Sequence, residues 1–307
     1  MFVYIAKRLA AAVPTLFLLI VFSFLLMHAA PGGPFTQERT LPAQVLANLN
    51  AKYGLDQPLW RQMASYVWGI VAHFDFGPSF IYKDRTVNEI IAQGFPVTLT
   101  YGTISFVAAV IVGVTLGISA AIYHNSWLDY LAVGVSIGAQ VLPNFVMGPL
   151  LLVTFTWWLG WLPGGGWEGG QWQYMIMPVI ALSTSYMASI ARLTRASMLE
   201  VLTSNHIRTA RAKGLPERQI ILKHALKPAL LPVLSYLGPA FVLMITGSVV
   251  VDFFFSTGGI GKSFVDSALN RDYAVMMGIT ILVGALTIFF NLVVDILYAW
   301  IDPKIRY

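Results

Sequence analysis

Five stretches of this chain, 9–30, 97–123, 130–160, 230–251 and 274–300, are too long and too apolar to be buried in a water-soluble core. A helix crosses the hydrocarbon of a bilayer with about 20 mainly apolar residues, and each stretch reaches that length. A sixth, 174–191, is weaker: it carries Pro178 near its start and the polar run Ser183-Thr184-Ser185, tolerable in a span only where that side faces protein or a wet cavity. Hydrophobic residues make up 57% of the chain and charged residues 11%. That is too little charge to cover a globule of 307 residues in water, so the main solvent is lipid. The fold class that follows is all-α, a polytopic membrane protein with six transmembrane helices, with 1–307 as a single transmembrane domain.

Lys7 and Arg8 precede the first stretch, as they would in a signal peptide. Its apolar core exceeds the roughly 7–15 residues of such a signal, and no small-x-small cleavage site precedes Pro31, so it is expected to be retained as a helix. Six spans place the N-terminal tail, the connection after the fourth span and the C-terminal tail on one side. That side holds Lys7, Arg8, Arg192, Arg195, Arg208, Arg211, Lys213, Arg218, Lys223, Lys227, Lys304 and Arg306, whereas the short loops opposite hold Lys262 and Arg271. Positive charge accumulates on the cytoplasmic side, so both termini are expected there. The net charge of +5 belongs to these loops beside apolar spans and is explained by the membrane surface, with no nucleic-acid partner.

Several chemistries are excluded or unsupported. Without cysteine there is no disulfide, thiolate zinc site or cysteine nucleophile. His28, His73, His124, His206 and His224 show no metal-binding spacing. Asp252 and Asp295 are expected near span ends within reach of water or cations, which argues against a proton relay and an ion-driven carrier. The run Ser256-Thr257-Gly258-Gly259-Ile260-Gly261-Lys262-Ser263 imitates a phosphate-binding loop, but its first position is serine and no strand-and-helix nucleotide domain surrounds it. It is expected to be a turn leading to the last span, so no cofactor is assigned to this chain.

The long connection 31–96 is patterned. Leu59, Met63, Tyr66, Val67, Ile70 and Phe74 recur at helical spacing beside Trp60 and Trp68, which predicts an amphipathic helix at the membrane interface. Two readings stay open: a surface for an external partner, or a lid on the ends of the spans. Gly113-x-x-x-Gly117 and Gly134-x-x-x-Gly138 allow close approach of helices. Thr100, Thr103, Gln140, Asn144, Thr184, Ser185, Thr246 and Ser248 are the polar side chains that could line a route for a polar solute, although serine and threonine also bond back to their own helix.

The most informative polar segment is 192–229. Gly214 can end one short helix in the left-handed conformation and Pro216 can start the next at its first turn. Ala210 and Ala212 are expected to keep the first helix slim, while Leu215, Ile220, Ile221 and Leu222 give the second an apolar face. Such a basic projection can enter a groove on a soluble partner or be a solvated loop that fixes topology.

This element resembles the coupling loop of binding-protein-dependent ABC importer permeases. Arg208-Thr209-Ala210 stands where that loop's Glu-Ala-Ala would be, so Ala210 and Gly214 alone agree with the generic pattern. The departure is the one seen in the peptide-transporting branch, matched here by Arg208-Thr209-Ala210-Arg211-Ala212-Lys213-Gly214-Leu215 and by the segment from His224 to Val233. Pro31-Gly32, Tyr53-Gly54-Leu55, Asp75-Phe76-Gly77-Pro78-Ser79-Phe80, Leu162-Pro163-Gly164-Gly165-Gly166-Trp167, Gly259-Ile260-Gly261, Asn270-Arg271-Asp272-Tyr273 and the ending Ile301 to Tyr307 are similar to the B-type permease of oligopeptide importers. The resemblance implies a type I ABC importer permease fold in a bacterial inner membrane. It also implies pairing with a C-type permease, two cytoplasmic ATPases that use ATP and Mg²⁺, and an extracytoplasmic solute-binding protein. The ATPases are expected to be gripped through Arg208, Thr209, Ala210, Arg211, Ala212, Lys213, Gly214 and Leu215, and this subunit is expected to be non-catalytic.

Overall fold

The computed structural model describes residues 2–29, 43–246 and 249–301. Every named element is helical, and the β feature among the described residues is an isolated bridge between Pro78 and Thr86. The helices are α1 (Phe2–Ala29), α2 (Ala43–Lys52), α3 (Leu59–His73), α4 (Val87–Ile122), α5 (Trp127–Val141), α6 (Asn144–Leu151), α7 (Trp172–Leu202), α8 (Asn205–Ala212), α9 (Glu217–Gln219), α10 (Leu226–Ala229), α11 (Leu231–Ile245), α12 (Val249–Phe255), α13 (Ile260–Asn270) and α14 (Tyr273–Ile301). The π-helical stretches Leu152–Trp158 and Ile220–Ala225 continue α6 and α9.

Four helical segments are long and apolar enough to cross a membrane unaided: Ala10–Ala29, Val87–Ile122, Trp172–Leu202 and Tyr273–Val294. Two bent pairs, Trp127–Val141 with Phe145–Trp158 and Glu217–Ala229 with Leu231–Ile245, bring the number to six if each pair is one span. The expected continuous span over 130–160 is therefore corrected to two helices bent by 107°. Leu142 precedes a proline, which disfavours helical backbone, and it adopts an extended conformation before Pro143 begins α6. The expected span over 230–251 also ends early, at Ile245, with α12 starting at Val249.

The weak sixth stretch lies within α7, whose apolar window has the lowest hydropathy and the largest buried share of the four. Met177, Ala181, Leu182, Ser183, Ala188 and Ile190 are all buried. A span that faces protein rather than lipid does not need to be uniformly apolar. α7 also continues through Arg192 and Arg195 to Leu202, so the first part of the expected loop 192–229 is helix.

The described residues form two compact units, with the boundary inside α4. In the first, Met1–Thr98 with Gly258–Tyr307, α1 packs on α14, and Gly284 lies so close to Leu19 that a Cβ there would overlap it. Asp272, fully buried, caps α14 by accepting from the Val275 amide at 3.4 Å; it also accepts from the Phe80 amide at 3.2 Å and from the Ser79 hydroxyl. Two sequence motifs, at 75–80 and 270–273, are thus one hydrogen-bonded cluster. The imitation phosphate loop enters α13: Gly259 is its N-cap, Thr98 accepts from the Ile260 amide at 3.0 Å, and Lys262 is engaged by Asp266 at 2.9 Å.

In the second unit, Leu99–Thr257, glycines set the distances between helices. A Cβ on Gly117 would lie 2.5 Å from the Ala191 carbonyl, one on Gly113 2.8 Å from that of Met187, and one on Gly102 2.5 Å from that of Met244. Gly166 donates its amide to the Phe255 carbonyl at 2.8 Å, which ties the glycine-rich motif at 162–167 to the end of α12. Asp252 in α12 is fully buried and accepts from the Thr257 hydroxyl, which corrects the expectation that water reaches it. Of Asp295 only the helical backbone is described, and Lys304 and Arg306 lie outside the described residues.

Candidate functional site: a basic helix–turn–helix element

α8 is two turns long and too short to hold its shape alone. Ile207 and Ala210, three residues apart and therefore on one face, are both buried and join Met198, Ile220, Ala225, Ala229 and Ala121 in an apolar cluster. Arg208, Thr209 and Ala212 point the other way and are exposed. Ala210 therefore anchors the helix, and of the two alanines expected to keep it slim Ala212 is the exposed one. In the second half Ile220 is buried, Leu215 and Ile221 pack against the same cluster, and Leu222 is exposed.

Gly214 terminates α8 by a Schellman motif. Its amide donates to the Arg211 carbonyl at 2.9 Å and the Leu215 amide reaches the Ala210 carbonyl at 3.4 Å, with Gly214 at φ +74°. No atom lies within 4 Å of where its Cβ would be, so glycine is needed here for its conformation rather than for space. Pro216 is the N-cap of α9, one position earlier than its expected place in the first turn.

Arg211 Nε donates to Glu217 Oε1 at 2.7 Å across the turn. The Glu217 carboxylate raises the Arg211 pKa above its already high ordinary value. Both side chains are about half exposed, so the pair contributes about 0–1 kcal/mol and mainly orients the turn. Arg208, Lys213, Arg218, Lys223 and Lys227 present their charge at the surface.

One functional pair was not read from the sequence. Arg195, expected only to fix topology, forms a bidentate pair with buried Asp129: Nε to Oδ1 at 2.6 Å and Nη2 to Oδ2 at 2.8 Å. The Asn125 amide also donates to Oδ2, at 3.0 Å, and the His124 ring lies beside it. The pair fastens the start of α5 to α7 three residues before Met198, which belongs to the cluster holding α8. A carboxylate in the first turn after the Asn125-Ser126 break was the available signal. Asp129→Leu would leave Arg195, whose side chain is 26% exposed, without its carboxylate, at a cost of about 1–3 kcal/mol, less than for a fully desolvated pair. The expected result is a clear fall in melting temperature in detergent, with Asp129→Glu retaining part of the stability.

The suggested pathway residues differ in burial and bonding among the described residues. Thr246 is buried and donates to Val242 O at 2.9 Å, and Thr184 bonds back to Ile180 O. Their hydroxyls satisfy their own helices. Thr100 and Gln140 are exposed, Thr103 and Ser185 half-buried. The side chain of Asn144 and the whole of Ser248 lie outside the described residues.

A family model described as Binding-protein-dependent transport system inner membrane component matches residues 113–307, and its N-terminal companion, Binding-prot-dependent transport system membrane comp, N-term, matches residues 1–102. The oligopeptide transport system permease protein OppB of Salmonella typhimurium is 57% identical over 304 residues, 99% of each chain. The dipeptide transport system permease protein DppB of Bacillus subtilis is 41% identical over 303 residues, 99% of this chain and 97% of its own. Among solved structures, the MetNI methionine ABC transporter in an inward-facing conformation matches with a TM-score of 0.60 at 16% identity, over 70% of this chain and 97% of that one, a likeness of fold. The long apolar helices and the identity along the whole chain agree: the protein belongs to the binding-protein-dependent transport system inner membrane components, as a homologue of oligopeptide permeases and an integral membrane protein.

Proposed function

We propose that this chain is one of two permeases through which an ATP-driven importer carries oligopeptides across a bacterial inner membrane, with both of its termini in the cytoplasm. A similar C-type permease completes the pathway, an external binding protein delivers the peptide, and two cytoplasmic ATPases supply the work. ATP and Mg²⁺ are used in those ATPases, and no covalent step occurs in this subunit. The observation that carries the reading is the α8–α9 element, a short cationic helix held to the core on one side by Ile207 and Ala210 and bare on the other.

A conformational change needs a difference in contacts between its states. The bare face of α8, with Arg208, Thr209 and Ala212, is where we place the differing contact with an ATPase. Because α8 is fixed to the end of α7 through Met198, a push on it moves the span as a body. Dipeptide cargo is the second reading, favoured by the 41% identity to DppB.

Purification of the chain in mild detergent is expected to bring down a second permease and two ATPases. After reconstitution, the complex with its binding protein should take up radiolabelled tri- to pentapeptides on addition of ATP. Uptake by the chain alone would refute the proposal, and uptake of dipeptides only would select the second reading.

A further inference from the structure

We propose that α3 lies in the lipid, its outward apolar face seated in the headgroup-to-acyl boundary of the outer leaflet rather than against a protein. One face of α3 serves the protein: Gln62 is 3.2 Å from the His28 ring, and the Tyr66 ring is 6.4 Å from that of Phe24. The other face is apolar as well. Trp60 and Trp68 are 63% and 67% exposed, and Ala64 and Val71 lie between and beyond them on the same stripe, while Arg61 sits over the Trp60 ring at the polar margin.

Depth follows from what α3 touches. Tyr66 is level with Phe24, five residues before the end of α1 at Ala29, and at 1.5 Å per residue this is about 7.5 Å inside that end. Past the C-terminal end of α3, Phe76 meets α14 at Gly278, five residues after Tyr273 and so about 7.5 Å inside the end of that span. Gln62, nearer the start of α3, lies beside His28, one residue and so about 1.5 Å inside the end of α1; the contacts of α3 and of the segment after it thus run from about 1.5 to about 7.5 Å inside the span ends, the shallow zone where an amphipathic helix rests in the interface. Tryptophan is the residue enriched at this level.

The surface below, on α1, is apolar and exposed in this chain as well. At 100° per residue Val13, Phe17, Phe24 and His28 share one face of α1 within about 60°. Phe24, beside α3, is 3% exposed, whereas Phe17, two turns deeper, is 52% exposed. The stripe on α3 thus continues a bare apolar face of a membrane span. A soluble partner that docks and leaves would return two tryptophans and a valine to water at each cycle, which large apolar patches on soluble surfaces avoid. The outer side is the one assigned by the distribution of lysine and arginine, and the inference is independent of cargo.

The chain has no cysteine, so single nitroxide labels can be placed at Trp68→Cys, Val71→Cys, Arg61→Cys and Ser65→Cys, with Phe17→Cys as lipid reference. In the assembled transporter in nanodiscs, labels at 68 and 71 should collide with oxygen more than with a water-soluble nickel chelate, with a ratio within about threefold of that at 17; labels at 61 and 65 should favour nickel. Nickel-favoured collisions at 68 and 71 overturn the inference. Protection of both positions from both reagents also overturns it, since a protein would then cover the stripe.

Discussion

Gly214→Asp is expected to leave the protein inserted and assembled, yet to lower ATP-driven peptide uptake by about tenfold or more while the ATPases continue to turn over. The argument rests on separating conformation from charge. Gly214 stands at φ +74° with nothing near its Cβ position, so an aspartate meets no clash. The left-handed conformation costs an L-residue about 1–2 kcal/mol, with Asp and Asn among the residues that visit it most readily. A loss of that size does not unfold the chain. What changes is a negative charge placed next to Lys213 at the turn of the cationic element. A coupling free energy of about 1–3 kcal/mol corresponds to 5–150-fold, so a repulsive contact here is large enough to uncouple the motor. Gly214→Asn has the same backbone tolerance without the charge and should keep uptake within about threefold of the parent protein. Uptake and hydrolysis measured together in proteoliposomes decide the matter; normal uptake by the aspartate variant removes the basis for placing the coupling contact here.

Gly117→Leu should have the largest effect on stability. A Cβ at this position lies 2.5 Å from the Ala191 carbonyl and from the Thr194 Cβ, so the obstacle is backbone and a β-branched side chain that cannot rotate away. Overpacking costs about 1–3 kcal/mol where side chains can adjust, and more is expected where α4 and α7 must separate. At Gly138, on the second glycine pair, a Cβ would meet nothing within 4 Å among the described residues, so Gly138→Leu starts from open space. The first variant should lose most of its folded yield in detergent, and the second should keep it. Equal loss in both would show that the α4–α7 contact is not what Gly117 provides.

These two glycine pairs show where reading the sequence stops. Gly113-x-x-x-Gly117 and Gly134-x-x-x-Gly138 have the same pattern, and the tertiary arrangement alone separates a closed helix contact from an open face. The same holds for charge. Arg195 and Arg208 both counted as topology-fixing cations, but Arg195 is engaged by Asp129 and Arg208 is bare. No local pattern pairs residues 66 positions apart in the chain. Pro143 was visible in the sequence, yet its effect was masked by the continuous apolar run, because hydropathy reports solvent preference and not direction.

By itself the sequence determined the solvent, the helical class, four of the spans and the glycine that ends α8, since each depends on composition or on a few consecutive residues. It determined the family too, through motifs along the whole length. The tertiary structure decided which face of α8 is anchored, which carboxylate holds Arg195, why the motifs at 75–80 and 270–273 occur together, and that α3 carries a second apolar face left exposed by the described residues. Those outcomes depend on contacts between residues far apart in the chain, and periodicity fixes which residues share a face but not what that face meets.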